Sequence, residues 1–230
     1  MKEPPKVLVG CPTSHHKGYC LKEYAEAVKS LTYKNYDVLL VDNSENYEYV
    51  EKIRKEGLPV IKGPYFEGAR DRIIESRNML REKTIKSYDY FLSLEQDVIP
   101  PKDIIEKLIR HGKEITTGVY FAYNQVPDGR VVLIPLVYKL VDEKTLTMRN
   151  LSEDEVFQDQ VIQVVSCGLG CVLIGKKVLE KIKFRYELNT FDDRWFCKDA
   201  YNLKIPIYAD TSVRCKHLIS KHQRWSDIRK

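Results

Sequence analysis

The chain of 230 residues contains no long hydrophobic run. None of its apolar stretches approaches the ~18 residues that a membrane-spanning helix needs. Its first residues, Lys2-Glu3-Pro4-Pro5, lack the apolar segment of a secretory signal. We therefore expect a soluble, cytoplasmic protein.

The chain also has little net charge, because 38 basic residues face 33 acidic ones for a formal charge of +5. The surplus lies at the end of the sequence, so the rest is near neutral and shows no basic stripe for nucleic acid. We predict no nucleic-acid partner. The tail, residues 218–230, is either solvated or contacts a diphosphate or an anionic membrane surface, which would make the protein peripheral at the membrane. The surplus lies in residues 213–230, which contain Arg214, Lys216, Lys221, Arg224, Arg229 and Lys230 against Asp227.

The six cysteines include no Cys-x-x-Cys pair of the kind found in zinc ribbons. We expect most of them to be reduced core residues. One string, Cys11-x3-His15-His16-x3-Cys20, contains four candidate zinc ligands within ten residues. Adjacent histidines project apart, however, and the string follows a predicted strand where a donor pocket would lie. Both readings of this string stay open.

Hydrophobic residues make up 43% of the sequence, which is enough for the core of one domain. Predicted strands alternate with helices through the first half, which favours an α/β fold with a mostly parallel central sheet and helices on both faces. Residues 115–140 are more hairpin-like, with a strand at Arg130 to Leu140, and predict a smaller antiparallel sheet. The acidic segment Leu151 to Gln160 is predicted to be a mobile loop.

The most informative stretch is an apolar strand, Tyr90 to Leu94, that ends in Glu95-Gln96-Asp97. A buried strand that ends in acids places those acids at the carboxyl edge of a sheet, where open α/β folds bind ligands. Mg²⁺ prefers oxygen ligands and commonly takes one or two carboxylates together with substrate phosphates. The stretch therefore predicts a metal-diphosphate site.

Several further motifs occur in a characteristic order. Together they resemble the motifs of nucleotide-sugar glycosyltransferases of the GT-A fold, especially the family 2 type, over roughly residues 6 to 217. The motifs are Val7 to Thr13, Tyr36 to Ser44, Ser76-Arg77-Asn78, Leu94 to Asp97, Gly168 to Cys171, Asp192 to Cys197 and His217.

This resemblance implies a single catalytic domain, residues 1–217, with a nucleotide-binding half of about residues 1–100 and an acceptor half of about residues 101–217. It implies a hexosyltransferase-like enzyme that moves a sugar from a UDP- or GDP-linked donor to a hydroxyl group of a glycan or a lipid-linked acceptor, with inversion. The sequence does not identify the base, the sugar or the oligomeric state.

The resemblance also implies a divalent metal, Mn²⁺ or Mg²⁺, held by Asp97 and His217. Glu95 stands where the family commonly has aspartate, so it is expected to bind the metal through water or to contact the ribose. Asp42 is expected to accept hydrogen bonds from the base or the ribose, in a pocket framed by Pro12 and Thr13.

Three further groups of residues have both a ligand-binding and a structural interpretation. Arg77 and Asn78 lie on a predicted helix near the diphosphate, although Arg77 could instead pair with Asp71 or Glu75. Gly168 and Gly170 would allow close approach of a ligand. Trp195 would stack on a sugar or belong to the core. The ligand-binding interpretation follows the resemblance in each case.

The pair Asp192-Asp193 supplies the candidate general base. Two neighbouring carboxylates raise the pKa of one of them, which suits removal of a proton from an acceptor hydroxyl. The resemblance assigns Asp193 as the base, with Asp192 orienting it or binding the acceptor. A helix N-terminus also favours aspartate and is the structural alternative.

Two other function classes compete with this interpretation. A nucleotidyltransferase of related fold would be expected to have a glycine-rich basic phosphate loop, whereas the segment from Val9 to Ser14 has one glycine. A nucleotide- or glycan-binding module without turnover would keep the pocket and lose the base. Substitution of Asp193 separates the second alternative from the enzyme.

Overall fold

Strands and helices alternate through most of the computed structural model, which describes residues 3–125, 128–188 and 190–218. The strands are β1 (Val7–Thr13), β2 (Tyr36–Asp42), β3 (Val60–Lys62), β4 (Tyr90–Leu94), β5 (Val98–Ile99), β6 (Ile115–Val119), β7 (Phe121–Gln125), β8 (Val131–Pro135), β9 (Val137–Asp142), β10 (Thr147–Asn150), β11 (Val161–Val164), β12 (Ser166–Cys167), β13 (Cys171–Gly175), β14 (Ile207–Arg214) and β15 (Lys216–His217). The α-helices are α1 (Leu21–Lys29), α2 (Glu48–Lys55), α3 (Ala69–Ser87), α4 (Ile104–Ile109), α5 (Glu153–Phe157), α6 (Lys176–Lys181) and α7 (Asp192–Asn202), and a 3-10 helix (His15–Cys20) precedes α1.

One eight-stranded sheet forms the centre of the molecule, in the order β11-β14-β6-β13-β4-β1-β2-β3. Strands β3, β2, β1 and β4 are parallel, and β6 and β14 run in the same direction. Only β13 and β11 run the opposite way within this sheet. The predicted mostly parallel central sheet is confirmed.

Side chains of β1 alternate between the two faces of the sheet, as the two-residue period of a strand requires. Val7 and Val9 face a core that includes residues of α1, α2 and α4, whereas Leu8 faces a core shared with α3, α6 and α7. Cores cover both faces of β1, which lies between β2 and β4, and its residues from Val7 to Pro12 are accordingly apolar. Helices therefore pack on both faces, as predicted.

Within the described residues, three smaller antiparallel sheets accompany the central sheet, and apart from β5 their strands come from the second half of the sequence. They are the β7-β8 hairpin, the three-stranded sheet β10-β9-β12 and the short pair β15-β5. The predicted single strand Arg130 to Leu140 is two strands, because β8 pairs with β7 while β9 pairs with β10 and β12. The break falls at Leu136, directly after Pro135, which has no backbone N–H to donate.

The prediction of an irregular loop from Leu151 to Gln160 is wrong, because α5 lies within it. Ser152 caps the helix by accepting a hydrogen bond from the backbone N–H of Glu155, and the Glu155 carboxylate accepts one from the Ser152 N–H in return. This capping box satisfies two amide groups that the short helix would otherwise leave free. The Ser-x-x-Glu signal was present in the sequence.

No helix in the described ranges is both long and apolar enough to cross a lipid bilayer. The basic tail lies almost wholly outside the described residues, since the structure describes the chain only as far as Leu218. Its predicted membrane contact therefore stays a prediction, as do the proposed boundaries of the two halves. Residue 127, which belongs to the predicted turn before Gly129, also lies outside the described ranges.

Candidate functional site

The carboxyl ends of the parallel strands bring the predicted nucleotide residues to one edge of the sheet. Thr13 at the end of β1 is in register with Asp42 at the end of β2, and Pro12 is in register with Val41. Strand β4, on the other side of β1, ends at Leu94 immediately before the acidic stretch. The ligand edge predicted from the strand order is thus formed by residues of three adjacent strands.

A short strand pair places His217 beside Asp97. His217 on β15 pairs with Val98 on β5, and the Leu218 N–H donates to the Asp97 carbonyl at 2.7 Å. The side chains follow the backbone, so that His217 Nε2 lies 3.4 Å from Asp97 Oδ2. The two residues predicted to bind a metal are neighbours.

The orientation of the His217 ring is fixed by its other nitrogen. Nδ1 lies 2.7 Å from the carbonyl oxygen of Phe121. A carbonyl can only accept, so Nδ1 carries a hydrogen and, in the neutral ring, the lone pair is on Nε2, which faces Asp97. An imidazole oriented in this way is a typical metal ligand.

Asp97 itself retains an unused acceptor. Its side chain is buried, and Oδ1 has no hydrogen-bond partner among the described residues. A buried carboxylate oxygen without a partner is costly unless an ion or water fills its place. The Asp97 carboxylate, with this free oxygen and with Oδ2 beside His217 Nε2, has ligand atoms of the kind that Mn²⁺ or Mg²⁺ binds. Within the described ranges, however, no three His, Cys, Asp or Glu side chains are gathered as a preformed metal site.

A lysine that the sequence analysis did not select contacts the same carboxylate. Lys17, on the 3-10 helix, forms an ion pair with Asp97 Oδ2, and the Tyr19 hydroxyl lies 3.4 Å from that oxygen. Burial alone would raise the pKa of Asp97, but the contact with His217 and the charge of Lys17 outweigh it and hold the pKa well below its usual range. Asp97 is therefore ionised at neutral pH.

Gln96, the residue between the two acids, connects the strand end to the surrounding elements. Its side-chain oxygen accepts hydrogen bonds from Thr13 and Tyr49, and its amide nitrogen donates to the Lys17 carbonyl at 2.8 Å. The Thr13 hydroxyl is buried and committed to this contact. In the predicted base pocket, Thr13 would therefore act indirectly, by holding the side chain of Gln96 in place.

Asp42 is fully buried and holds the loop that follows β2. Its Oδ2 pairs with Lys62 Nζ at 2.7 Å, while its Oδ1 accepts from the hydroxyl of Ser44 at 2.6 Å. The Ser44 oxygen in turn accepts from the His15 N–H at 2.9 Å. The Asp42 carboxylate therefore links β2, β3 and the 3-10 helix around the predicted base pocket.

Arg77 is buried on α3, where it links three groups. Its Nε donates to Asp192 Oδ2 at 2.7 Å, NH1 to Ser93 at 2.7 Å and NH2 to Glu95 at 3.2 Å. Arg77 thus pairs with Glu95 and Asp192, and not with Asp71 or Glu75 on its own helix. All of these donors are used by protein groups, so Arg77 joins the strand-end acid to the predicted catalytic acids.

The side-chain amide of Asn78 is hydrogen-bonded to the backbone of Phe184. Its amide nitrogen donates to the Phe184 carbonyl at 2.9 Å, and its amide oxygen accepts from the Phe184 N–H at 3.0 Å. These bonds tie α3 to Phe184, whose ring also lies 5.7 Å from the Arg77 guanidinium. Asn78 therefore has a structural role, and its predicted nucleotide contact stays a prediction.

The two acids at the start of α7 have different surroundings. Asp192 is buried against Arg77, whereas Asp193 has no cationic side chain within ion-pair distance in the described chain and accepts the Arg194 N–H at 2.6 Å. Burial raises the pKa of Asp193 above its usual range, and the charges of Asp192 and Glu95 act in the same direction. This is the environment expected for the general base.

Gly168 and Gly170, the glycines predicted to admit a ligand, pack against an aromatic ring. A Cβ on Gly168 would lie 2.1 Å from the Tyr120 hydroxyl oxygen, and one on Gly170 would lie 2.7 Å from the same ring. The Gly170 N–H also donates to that hydroxyl at 2.9 Å. Both glycines are required by the packing of Tyr120, which in turn contacts the ring of His217 edge-on with centroids 5.2 Å apart.

Trp195 is mostly buried and lies under two cations. Arg185 and Lys198 stand 4.5 and 4.3 Å from its ring centre, and its indole N–H donates to the Thr190 hydroxyl at 2.8 Å. Part of the ring borders an apolar cavity of about 310 Å³ that Leu188 and Tyr201 also line. The ring therefore packs against both cations, and its predicted contact with a sugar stays a prediction.

The residues of the zinc alternative do not form a metal centre. Cys11 and Cys20 are free and buried, and the Cys20 thiol donates to the Lys17 carbonyl at 3.1 Å. The rings of His15 and His16 pack against each other with centroids 3.9 Å apart. Burial raises the pKa of Cys20 to about 11, so its thiol is protonated at neutral pH. In the part of the chain that the structure describes, the string runs from the end of β1 into the 3-10 helix.

Known proteins resemble this chain in structure and not in sequence. No protein-family model matches it, and neither does any curated protein. GalNAc-T7 with UDP, GalNAc and Mn²⁺ superposes with a TM-score of 0.69 at 13% identity, over 94% of this chain and 44% of that one. Mannosyltransferase PcManGT from Pyrobaculum calidifontis, in complex with GDP-Man and Mn²⁺, gives 0.65 at 12% identity, over 96% and 59%.

The chain has the GT-A fold. A third structure, A197 from STIV, is of similar length, with a TM-score of 0.50 at 17% identity over 94% of this chain and 86% of that one. By contrast, the chain spans 44% and 59% of the lengths of GalNAc-T7 and PcManGT. At these identities the likeness establishes the architecture predicted from the sequence motifs, and the chemistry has to be argued from the residues.

Proposed function

We propose that the protein is a metal-dependent glycosyltransferase that moves a sugar from a UDP- or GDP-linked donor to a hydroxyl acceptor with inversion. The observation that supports this most strongly is the contact of one buried guanidinium, that of Arg77, with both Glu95 and Asp192. It ties the strand-end acids of the donor side to the paired acids of the acceptor side. A GT-A sheet with both sets of acids at one cleft is suited to sugar transfer.

On the donor side, Asp42, Pro12 and Thr13 would frame the base and ribose, with Lys62 and Ser44 already holding the Asp42 carboxylate in place. Asp97 and His217 would hold Mn²⁺ or Mg²⁺, and the diphosphate and water would complete the ligand set. The ion, when bound, neutralises the charge that develops on the leaving diphosphate. Glu95, which is engaged with Arg77, would act through water or on the ribose.

On the acceptor side, Asp193 would take the proton from the attacking hydroxyl. The acceptor oxygen then forms a bond to the anomeric carbon while the bond from that carbon to the donor phosphate oxygen breaks. Attack from the face opposite the diphosphate inverts the configuration. The raised pKa of Asp193 makes it a stronger base than an ordinary carboxylate, and the contact with Arg77 holds Asp192 in place beside it. The acceptor would be a glycan or a lipid-linked hydroxyl.

The proposal is tested by calorimetric titration of the protein with UDP and with GDP, with and without Mn²⁺, followed by a transfer assay with Asp193→Asn. Nucleotide binding that depends on Mn²⁺, and transfer that falls by on the order of 10³-fold in Asp193→Asn while donor binding is unchanged, is the expected result. Asp199→Asn on the same helix, which removes a pair with Arg185, is the matched control and should retain transfer.

The two rival functions give different results in the same experiments. A binding module would bind nucleotide equally well in Asp193→Asn and show the same trace hydrolysis as the unaltered protein. A nucleotidyltransferase would release pyrophosphate from a nucleoside triphosphate and a sugar phosphate. Absence of metal-linked nucleotide binding would contradict the proposed activity directly.

A further inference from the structure

Lys17 and His217 contact the same oxygen of Asp97. The Lys17 ammonium forms an ion pair with Asp97 Oδ2, and His217 Nε2 lies 3.4 Å from that oxygen. A cation shared by the carboxylate and the imidazole would have to lie beside this oxygen. The described structure therefore places a side-chain cation where the proposed divalent ion would bind.

We propose that Lys17 is a resident counter-ion of Asp97, which competes with the divalent cation and moves to the donor diphosphate when the two bind together. The inference rests on the proposed function, because it assumes that Asp97 and His217 are metal ligands. It assigns to this chain a positioning residue that couples metal binding to nucleotide binding.

The backbone around Lys17 is fixed while its ammonium is free to move. The Lys17 carbonyl accepts hydrogen bonds from Gln96 and from the Cys20 thiol, and its N–H donates to the Ser14 carbonyl at 2.8 Å. The side chain is 36% exposed, so the four-carbon stem has solvent beside it. Because these anchors involve only the main chain, the ammonium can leave Asp97 without any change in the 3-10 helix.

The charges explain why metal and nucleotide would bind together. A divalent ion that binds alone must break the Lys17–Asp97 pair and leaves an ammonium close to a second cation, which is unfavourable in a partly buried site. A diphosphate supplies phosphate oxygens that accept both the ion and the displaced ammonium. The nucleotide therefore increases metal affinity, and by thermodynamic linkage the metal increases nucleotide affinity by the same factor.

The test is a titration with Mn²⁺, followed by electron paramagnetic resonance of the free ion, in the absence and presence of UDP or GDP. Lys17→Met and Lys17→Gln should each bind Mn²⁺ on the order of tenfold more tightly than the unaltered protein when no nucleotide is present, because no charged hydrogen bond has to be broken. The increase in Mn²⁺ affinity caused by nucleotide should shrink in both variants. Lys17→Arg retains the charge and should bind Mn²⁺ as weakly as the unaltered protein.

Lys216→Met is the matched control, because Lys216 neighbours His217 in sequence but pairs with Glu23. It removes the same charge from the same region without touching Asp97, and its Mn²⁺ affinity should stay near that of the unaltered protein. Melting curves check that each variant is folded. A tightening in Lys216→Met equal to that in Lys17→Met would show a general charge effect and overturn the inference.

Two further outcomes separate this inference from the proposed function. Unchanged or weaker Mn²⁺ affinity in both neutral Lys17 variants, with nucleotide-linked Mn²⁺ binding intact in the unaltered protein, overturns the inference and leaves the function standing. If neither the unaltered protein nor any variant binds Mn²⁺ even with UDP or GDP, both the inference and the metal-dependent function are wrong.

Discussion

Arg77 and Asp192 are 115 residues apart in the sequence and form an ion pair of 2.7 Å in which both side chains are almost completely buried. A buried pair is unfavourable to desolvate, so it is retained only where its hydrogen bonds are complete. Here the guanidinium also donates to Ser93 and Glu95. The pair, with these hydrogen bonds, holds the start of α7 against the end of β4.

Replacing Arg77 with methionine should destabilise the protein by about 3–5 kcal/mol, because Asp192 would be left as an uncompensated buried charge. Urea denaturation measures this loss. Arg54→Met is the control on another helix, since its pair with Glu51 is exposed and should contribute less than about 0.5 kcal/mol. Equal losses in the two variants would contradict the role assigned to Arg77.

Sugar transfer should require the ionised form of Asp193, so kcat/KM should fall as the pH is lowered through its pKa. Burial, followed by the charges of Asp192 and Glu95, raises this pKa, so the acid limb should lie above the ordinary aspartate value of about 3.9. Glu95→Gln removes one of the raising charges and should move the limb to lower pH. Glu153→Gln, on α5, should leave it in place; a limb that moves upward in Glu95→Gln would contradict the assignment.

Gly168→Ala should destabilise the protein by about 1–3 kcal/mol, because the new methyl group would overlap the Tyr120 hydroxyl. Tyr120→Phe removes that hydroxyl, so the double variant should lose less stability than the sum of the single changes. Thermal melts of the four proteins provide the cycle. Gly18→Ala is the control, since its added carbon would meet Tyr49 at an ordinary 3.7 Å. Strict additivity would show that ring and glycine are not in contact.

Glu155→Gln should cost about 1 kcal/mol at pH 7, because glutamine preserves the capping contact but loses the charged hydrogen bonds from Arg149 and Lys139. These contacts, the Arg149 hydrogen bond foremost, hold the pKa of Glu155 well below its usual range in the folded state. A lowered pKa contributes stability above the unfolded value of about 4.3, and this contribution disappears as the pH falls toward the folded value. Urea denaturation of both proteins should therefore give a difference that is largest at neutral pH and shrinks below pH ~4.

The edge of the sheet and its acids were predictable because they depend on local patterns. A buried run that ends in acids, as at Leu94 and Asp97, indicates the carboxyl edge wherever the rest of the chain lies. The alternation of strands and helices predicted a mostly parallel α/β sheet, and the resemblance of the ordered motifs to those of nucleotide-sugar glycosyltransferases implied the GT-A fold. The neighbouring positions of Asp97 and His217 were implied by the resemblance alone, because the β5–β15 pairing joins segments far apart in sequence.

The contacts that were missed depend on long-range packing. Nothing local distinguishes Lys17 from the other lysines, although its position on the turn after β1 placed it near the ligand edge. The local sequence held a stronger indication for Gln96. A neutral amide between two acids at a strand end can both donate and accept hydrogen bonds, and is therefore suited to connect neighbouring elements. The contacts of Asn78 with the Phe184 backbone and of the two glycines with Tyr120 were not predicted, because an asparagine or glycine that packs against protein has the same identity as one that binds a nucleotide.

The pairing of β15 with β5 also orders the maturation of the site in time. Asp97 and Lys17 are synthesised in the first half of the chain and can meet as soon as β1 and β4 associate, whereas His217 emerges from the ribosome much later. Chains released or cleaved before this strand would contain Asp97 and Lys17 without the His217 imidazole. The pair of Asp97 and His217 is therefore completed only when the last described strand has been synthesised and has paired with β5.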